Sequence, residues 1–252
     1  MNMQHRQTKS RIFANTHGRK TMKNVIDFLA RLKDNNNREW FNEHKTEYQA
    51  AQAAFNEFAE RLISGLGEFD PSVRGISVKD CTYRIYRDTR FSSDKRPYKT
   101  HMGAFIAPHG KKSGYAGYYF QIGPEEYGYP SGNMLAAGHY CFDAKVLRLL
   151  REDISTDSGE FERTLTAAPL FTLDDENMLK RVPAGFEKEA PYSHYLLYRN
   201  YCLTYATGRR FMRQDHLLER TLDAFRTTQP FLAYLNRAIA YAAEGNEERT
   251  SL

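Results

Sequence analysis

Phe41, His44, Tyr48, Ala51, Phe55, Phe58 and Leu62 recur at alternating steps of three and four residues. Side chains at those spacings share one face of an α-helix, so the run demands a long amphipathic helix, expected over about Arg38 to Ser64. Asn35-Asn36-Asn37 separates it from a shorter helical pattern of Met22, Val25, Phe28, Leu29 and Leu32. Gly65 and Gly67 stop it, and Asp70-Pro71 turns the chain away. The stripe is aromatic and small rather than a Leu/Ile heptad, which points to packing on a sheet and not to a coiled-coil seam. His44, on that stripe, reads as a packed histidine rather than a ligand.

The middle third changes period. Ile76 to Arg87, Lys99 to Ala107 and Tyr115 to Ile122 are rich in Tyr, Ile, Phe and Thr, and are divided by Pro97 and by His109-Gly110-Lys111-Lys112-Ser113-Gly114. They are expected to be consecutive antiparallel strands, with another at about Asn133–Cys141 after Gly128, Pro130 and Gly132. Helical patterns return at Asp143–Ile154, Gly159–Thr166 and Asp215–Tyr241, the last with a break at Pro230, and Ser193–Tyr205 alternates as one more strand. The expected fold class is α+β: a central antiparallel sheet, a meander of strands over about 76–141 plus one near 193–205, flanked by N- and C-terminal helices. The expected organisation is a disordered basic tail at 1–21 and a single α+β domain at 22–252, with no internal repeat.

Charge locates the chemistry once it is divided. The 36 basic and 31 acidic side chains leave a net +5. Arg6, Lys9, Arg11, Arg19 and Lys20, with no acid before Met22, account for all of it, so the body is neutral and a whole-protein case for nucleic-acid binding fails. A transit peptide is the competing reading of 1–21, set second because the segment is poor in Ser and has no clear apolar face. Within the body, residues 79–112 hold nine basic side chains against Asp80, Asp88 and Asp94, a local +6 on a remainder of −6. No apolar run approaches the ~20 residues of a membrane span. Cys81, Cys141 and Cys202 form no CxxC pair, and no apolar leader opens the chain, so a cytoplasmic protein without membrane association is expected.

The densest chemistry runs from Arg84 through Arg87-Asp88-Thr89-Arg90-Phe91-Ser92-Ser93-Asp94-Lys95 to Tyr98-Lys99. At period two, Arg84 and Arg87 point to opposite faces of a strand, so a loop from Asp88 to Pro97 is expected to fold back and bring Arg87, Arg90 and Lys95 round. Guanidinium forks match phosphate or carboxylate oxygens in two-point contacts, and lysine adds a point charge. The competing reading is a structural ion-pair network pinning a long loop. Nine of the 17 tyrosines fall between Tyr83 and Tyr140, beside these cations. Cations interleaved with rings hold nucleotides and single strands, although tyrosine also simply suits strands.

The pattern Arg84-x-x-Arg87-Asp88-x-Arg90-Phe91-x-x-Asp94-Lys95-x-x-Tyr98 resembles the signature of a family, domain of unknown function 2461. The likeness extends from Met22 to about Ala242 and includes Asn35–Phe41, Tyr118–Ile122, Leu179–Phe186, and Pro230-Phe231 with Leu235-Asn236. Ala137-Gly138 stands where a Gly-Gly pair is expected, and Glu189-Ala190-Pro191 replaces an Asp-His-Pro-like segment, so no histidine carries over there. The resemblance implies a soluble bacterial-type protein and supplies no reaction.

The functional expectation is therefore a pocket for a phosphate-bearing ligand, nucleotide or nucleic acid, with phosphoryl transfer or hydrolysis as the reaction to test. Arg84, Arg87, Arg90, Lys95 and Lys99 bind the anion, and Tyr98 and Tyr119 stack or donate hydroxyls. Asp88 and Asp94 orient the cations or serve as base or Mg²⁺ ligand. The alternative is a non-catalytic interaction or scaffold module whose Arg/Asp cluster is structural. His139 and Cys141 alternate on one strand, but no zinc spacing occurs, and no metal site is assigned. Ser92 or Ser93 with His101 across the hairpin is a further nucleophile pairing. Nothing in the sequence sets the oligomeric state.

Overall fold

The computed structural model describes residues 22–126 and 132–250, the last six by their backbone. Helix α1 (22–34) is followed by α2 (Arg38–Glu43), α3 (Lys45–Leu66) and a short α4 (Val78–Cys81). Strands β1 (Met102–Ile106), β2 (Gly117–Ile122) and β3 (Met134–His139) form an antiparallel meander. Helices α5 (Ala144–Thr156) and α6 (Ser158–Thr166) lead to the two-residue β4 (Thr172–Leu173). The chain then returns as β5 (Tyr201–Ala206) before α7 (Gly208–Arg213) and α8 (Leu217–Thr250). The sheet order is β1-β2-β3-β5-β4, antiparallel throughout. This is the α+β architecture with a central sheet that the period change in the sequence calls for.

The aromatic stripe becomes the core of that architecture. Tyr48, Ala51, Phe55, Phe58 and Leu62 are all buried along α3, and the Phe58 ring lies 4.7 Å from Phe120 of β2. Tyr118, Phe120 and Ile122 are fully buried, so alternation on β2 assigns that face to the interior. Helix α8 packs on β3 and touches α3, α5, α6 and α7. Its Asn236 acts as a missing strand partner for residue 116, with Oδ1 accepting from the Ala116 N–H at 2.8 Å and Nδ2 donating to the Ala116 carbonyl at 3.1 Å. Gly138, at φ 143°, lies so close to β5 that an added Cβ would stand 2.3 Å from the Tyr201 carbonyl oxygen. Only glycine suits both conditions.

Four local expectations are corrected. The helix expected over 38–64 is two helices, because His44 leaves helical geometry at φ −103°, ψ 21° while its Nδ1 bonds the Trp40 carbonyl at 2.8 Å. The first expected strand, Ile76–Arg87, is not a strand. Ser77 caps the Asp80 N–H and opens the α4 turn, and the chain beyond it pairs only through isolated bridges at Thr82↔Ala104 and Tyr86↔Tyr98. Between those bridges one chain takes four steps and the other six, a bulge that no alternation pattern reveals. Of the expected strand at 193–205, Ser193–Leu197 is a 3-10 turn and extended pairing begins only at Tyr201. Pro230 does not break α8: it is exposed, so the carbonyl it frees at exposed Arg226 faces water, while Phe225, Phe231 and Leu235 stay buried on either side.

No helix among the described residues is long and apolar enough to cross a membrane. The expected tail at 1–21 and the tyrosines Tyr127 and Tyr129 lie outside the described residues.

Candidate functional site

The segment 82–87 runs beside 97–104 as an irregular hairpin. Backbone bonds from Arg87 N–H to the Pro97 carbonyl (2.9 Å), Lys99 N–H to the Ile85 carbonyl (2.8 Å) and Tyr83 N–H to the Gly103 carbonyl (3.3 Å) hold it. Its position over the helical layer is set by Asn36. That side chain accepts from the Tyr98 N–H at 3.1 Å and donates to the Tyr98 carbonyl at 2.9 Å. The Tyr98 ring, buried, stacks on Phe41 with centroids 3.9 Å apart. The same amide device thus pins both ends of the site's scaffold, with Asn36 at the hairpin and Asn236 just ahead of β2.

The loop between the two arms is an ion-pair network, as the structural alternative requires. Asp94 takes the Arg96 guanidinium in a fork (3.0 and 2.7 Å) and Arg87 Nη1 at 2.7 Å. Arg87 also donates to the Arg96 carbonyl at 3.1 Å and lies 3.4 Å from Ser92 Oγ. Asp88 forks Arg90 at 3.0 and 2.7 Å, and Lys95 Nζ caps the Thr89 carbonyl at 3.0 Å. Hydrogen bonding to Arg96, then to Arg87, holds the Asp94 carboxyl far below the usual carboxylate range, and Arg90 lowers that of Asp88. Both are ionised at neutral pH and weak as bases.

Loop and hairpin enclose a cleft of about 350 Å³ lined by Arg87, Asp88, Asp94, Arg96, Tyr98, Lys99, Thr100 and His101. Thr100 and His101 lie between the Lys99–Ile85 and Gly103–Tyr83 backbone bonds, where the chain bulges, and both line the cleft together with Lys99. The Lys99 ammonium makes no ion pair with a described residue. Its Nζ stands 5.3 Å from the centre of the Tyr83 ring, and burial, then Arg84, pushes its pKa down. Arg84 is exposed and has no hydrogen bond or ion pair to a described residue. His101 is pushed down to about 4 by burial and then by Lys99, and its Nδ1 is buried without a hydrogen-bond partner. It is therefore neutral at pH 7, with one ring nitrogen buried and unpartnered behind the cleft wall.

The cleft gathers Arg87, Asp88, Asp94, Tyr98 and Lys99 of the residues the sequence singles out. Arg84 stands beside Lys99 at its margin, and Arg90 and Lys95 serve the loop. Tyr119 lies elsewhere, in mid-β2, with its hydroxyl donating to Gln121 Oε1 at 2.7 Å and its ring over Gly103. Arg96 and Thr100 line the cleft without having been singled out by sequence. The position of Arg96 two residues after Asp94, in the same cationic run, is the available signal for the first. The sequence offers His101 only as a partner for a serine, whereas Ser92 Oγ faces Arg87. No group of three or more His, Cys, Asp or Glu side chains among the described residues is placed to hold a metal ion.

No curated protein and no solved structure matches the chain. A family model does, over residues 24–234, which takes in the whole hairpin, its loop and Asn36. The chain belongs to the family described as conserved hypothetical protein (DUF2461).

Proposed function

We propose that the hairpin cleft binds the phosphate of a nucleotide or nucleic acid. The observation that carries this reading is the Lys99–Arg84 pair: two cations side by side, one partly desolvated, neither in an ion pair with a described residue, and the only carboxylate acting on Arg84 among the described residues, Asp88, already forked by Arg90. Like charges so arranged destabilise each other until an anion arrives. Phosphate oxygens would meet Arg84, Lys99 and the outer edge of Arg87. Asp88 and Asp94 orient the arginines of the lip. The role is binding, since both carboxylates are too strongly held by guanidinium groups to accept a proton at neutral pH.

The loop pairs Asp88–Arg90 and Asp94–Arg96 favour a structural role for those four residues in particular, and the two roles divide along that line. A thermal-shift screen of nucleotides, sugar phosphates and oligonucleotides tests it. At least one phosphate-bearing compound should stabilise the wild type, and Arg84→Ala and Lys99→Met should each abolish the shift. Without ligand, both variants should melt at or slightly above the wild-type temperature. Stabilisation that survives both substitutions, or no stabilisation by any phosphate, refutes the reading.

A further inference from the structure

The hairpin and loop that frame the cleft also carry exposed aromatic rings outside its lining. Three of the six large exposed hydrophobic side chains among the described residues fall within 83–91: Tyr83 (43% exposed), Tyr86 (47%) and Phe91 (95%). Each is joined to the cationic hairpin. The Tyr86 ring lies 5.5 Å from Tyr98 on the cleft lining. Tyr83 lies under both Lys99 Nζ (5.3 Å) and Lys111 Nζ (6.0 Å). The Phe91 ring, on the loop that forms the lip, has the Arg90 guanidinium carbon 5.8 Å from its centre. A phenylalanine left almost wholly in water on a loop otherwise tied down by ion pairs forgoes the gain of burial, and so marks an interaction surface.

We propose, resting on the phosphate-binding reading above, that the ligand is single-stranded nucleic acid. Its phosphates lie along Arg84, Lys99 and Lys111, and its bases stack on Tyr83, Tyr86 and Phe91. Two features of the hairpin select this class. A free nucleotide offers one base and would occupy one ring, whereas three exposed rings spaced along nine residues match successive bases. In a duplex the base faces are already stacked on each other, so only a single strand presents flat apolar faces alternating with anionic groups. A bilayer would require the rings to project together from one convex tip. Here Tyr86 packs edgewise on Phe41, and two lysines stand over the Tyr83 ring, so the exposed rings are interleaved with other groups and do not form one apolar tip.

The test measures fluorescence anisotropy of the full-length protein with a labelled thymidine dodecamer, an abasic strand with the same number of phosphates, and the corresponding duplex. Sedimentation with vesicles of phosphatidylcholine and phosphatidylserine runs alongside. The thymidine strand should bind at least about tenfold tighter than the abasic strand, since each stacked base is worth a factor of this order or more. Tyr83→Ala combined with Phe91→Leu should shrink the preference for the thymidine strand to the share of the one remaining ring, Tyr86, without changing the salt dependence. Arg84→Ala should weaken both strands and reduce the slope of log K against log salt by about 0.7, the share of the one phosphate that Arg84 neutralises. The Lys- and Arg-rich residues before Met22 add equally to both strands and so cancel in the comparison. Equal binding of thymidine and abasic strands by the wild type overturns the stacking proposal and leaves the phosphate site standing. A preference for duplex or for vesicles also overturns it. Failure of every nucleic acid, together with failure of the phosphate screen, removes both.

Discussion

His101 shows how much a single residue in the bulge decides. Its neighbours on the cleft include cations and its ring is mostly buried, so protonation in the folded state is costly on both counts. The folded midpoint is pushed down to about 4 from the ordinary 6.5. As pH falls the unfolded chain takes up this proton first, so the stabilising contribution is complete above about pH 6.5 and is lost progressively toward pH 4. It amounts to ~3 kcal/mol over that interval. Urea denaturation at pH 7 and pH 4 should therefore show the wild type losing about that much more stability than His101→Gln. Equal losses would mean that the histidine titrates as in water. A bound phosphate should act the other way, raising the His101 midpoint in an NMR titration, because a nearby anion favours the imidazolium. None of this is legible in the sequence, where His101 is one residue of an apparent strand.

At the scale of elements, two predictions separate local pattern from context. The loop 88–96 draws its order from Asp94, shared by Arg87 and Arg96. Asp94→Asn should lower the melting temperature, and adding Arg87→Ala to it should cost less than Arg87→Ala costs alone, the non-additivity expected of groups in one network. Strict additivity in that double-mutant cycle would show the pairs to be idle. Asp88 pairs with Arg90 instead of Arg87, so coupling between Arg87 and Asp88 should be weaker than between Arg87 and Asp94. Helix α8 makes the second case. Pro230 forfeits an intrahelical hydrogen bond at an exposed position, a cost of ~3 kcal/mol, offset in part by the smaller entropy of the unfolded chain. Pro230→Ala should stabilise the protein by ~1–2 kcal/mol in urea denaturation. A drop in stability would mean that the restricted backbone of Pro230 helps to seat Phe231 in the core. Helical periodicity located α3, and alternation located β2, because each buries one face on the other, and burial is what periodicity records. Pattern failed at 76–87 and 193–197 because Ser77 capping and a 3-10 turn use the same Tyr- and Ile-rich composition as a strand.

For the whole molecule, the division of charge yields its own prediction. Arg6, Lys9, Arg11, Arg19 and Lys20 carry the entire net +5, and the neutral body concentrates its positive charge around one hairpin. A chain beginning at Met22 should melt within about a degree of the full-length protein, since a short basic segment without apolar periodicity has little with which to offset ordering. It should also bind polyanions such as heparin more weakly and with a shallower salt dependence, because fewer counterions are released. Marked destabilisation on truncation would place those residues against the body. The α+β class, the helical stripe, the buried face of β2 and the position of the cationic segment are properties of the sequence alone, since each follows from spacing along the chain. The sharing of Asp94 by two arginines, the placing of Lys99 beside Arg84 with no ion pair to a described residue, and the unpartnered nitrogen of His101 were decided only by tertiary structure. They depend on a bulge and on two asparagine amides that dock distant segments, and pairings of that kind, between residues about 60 to 120 apart, leave no periodic trace in the chain.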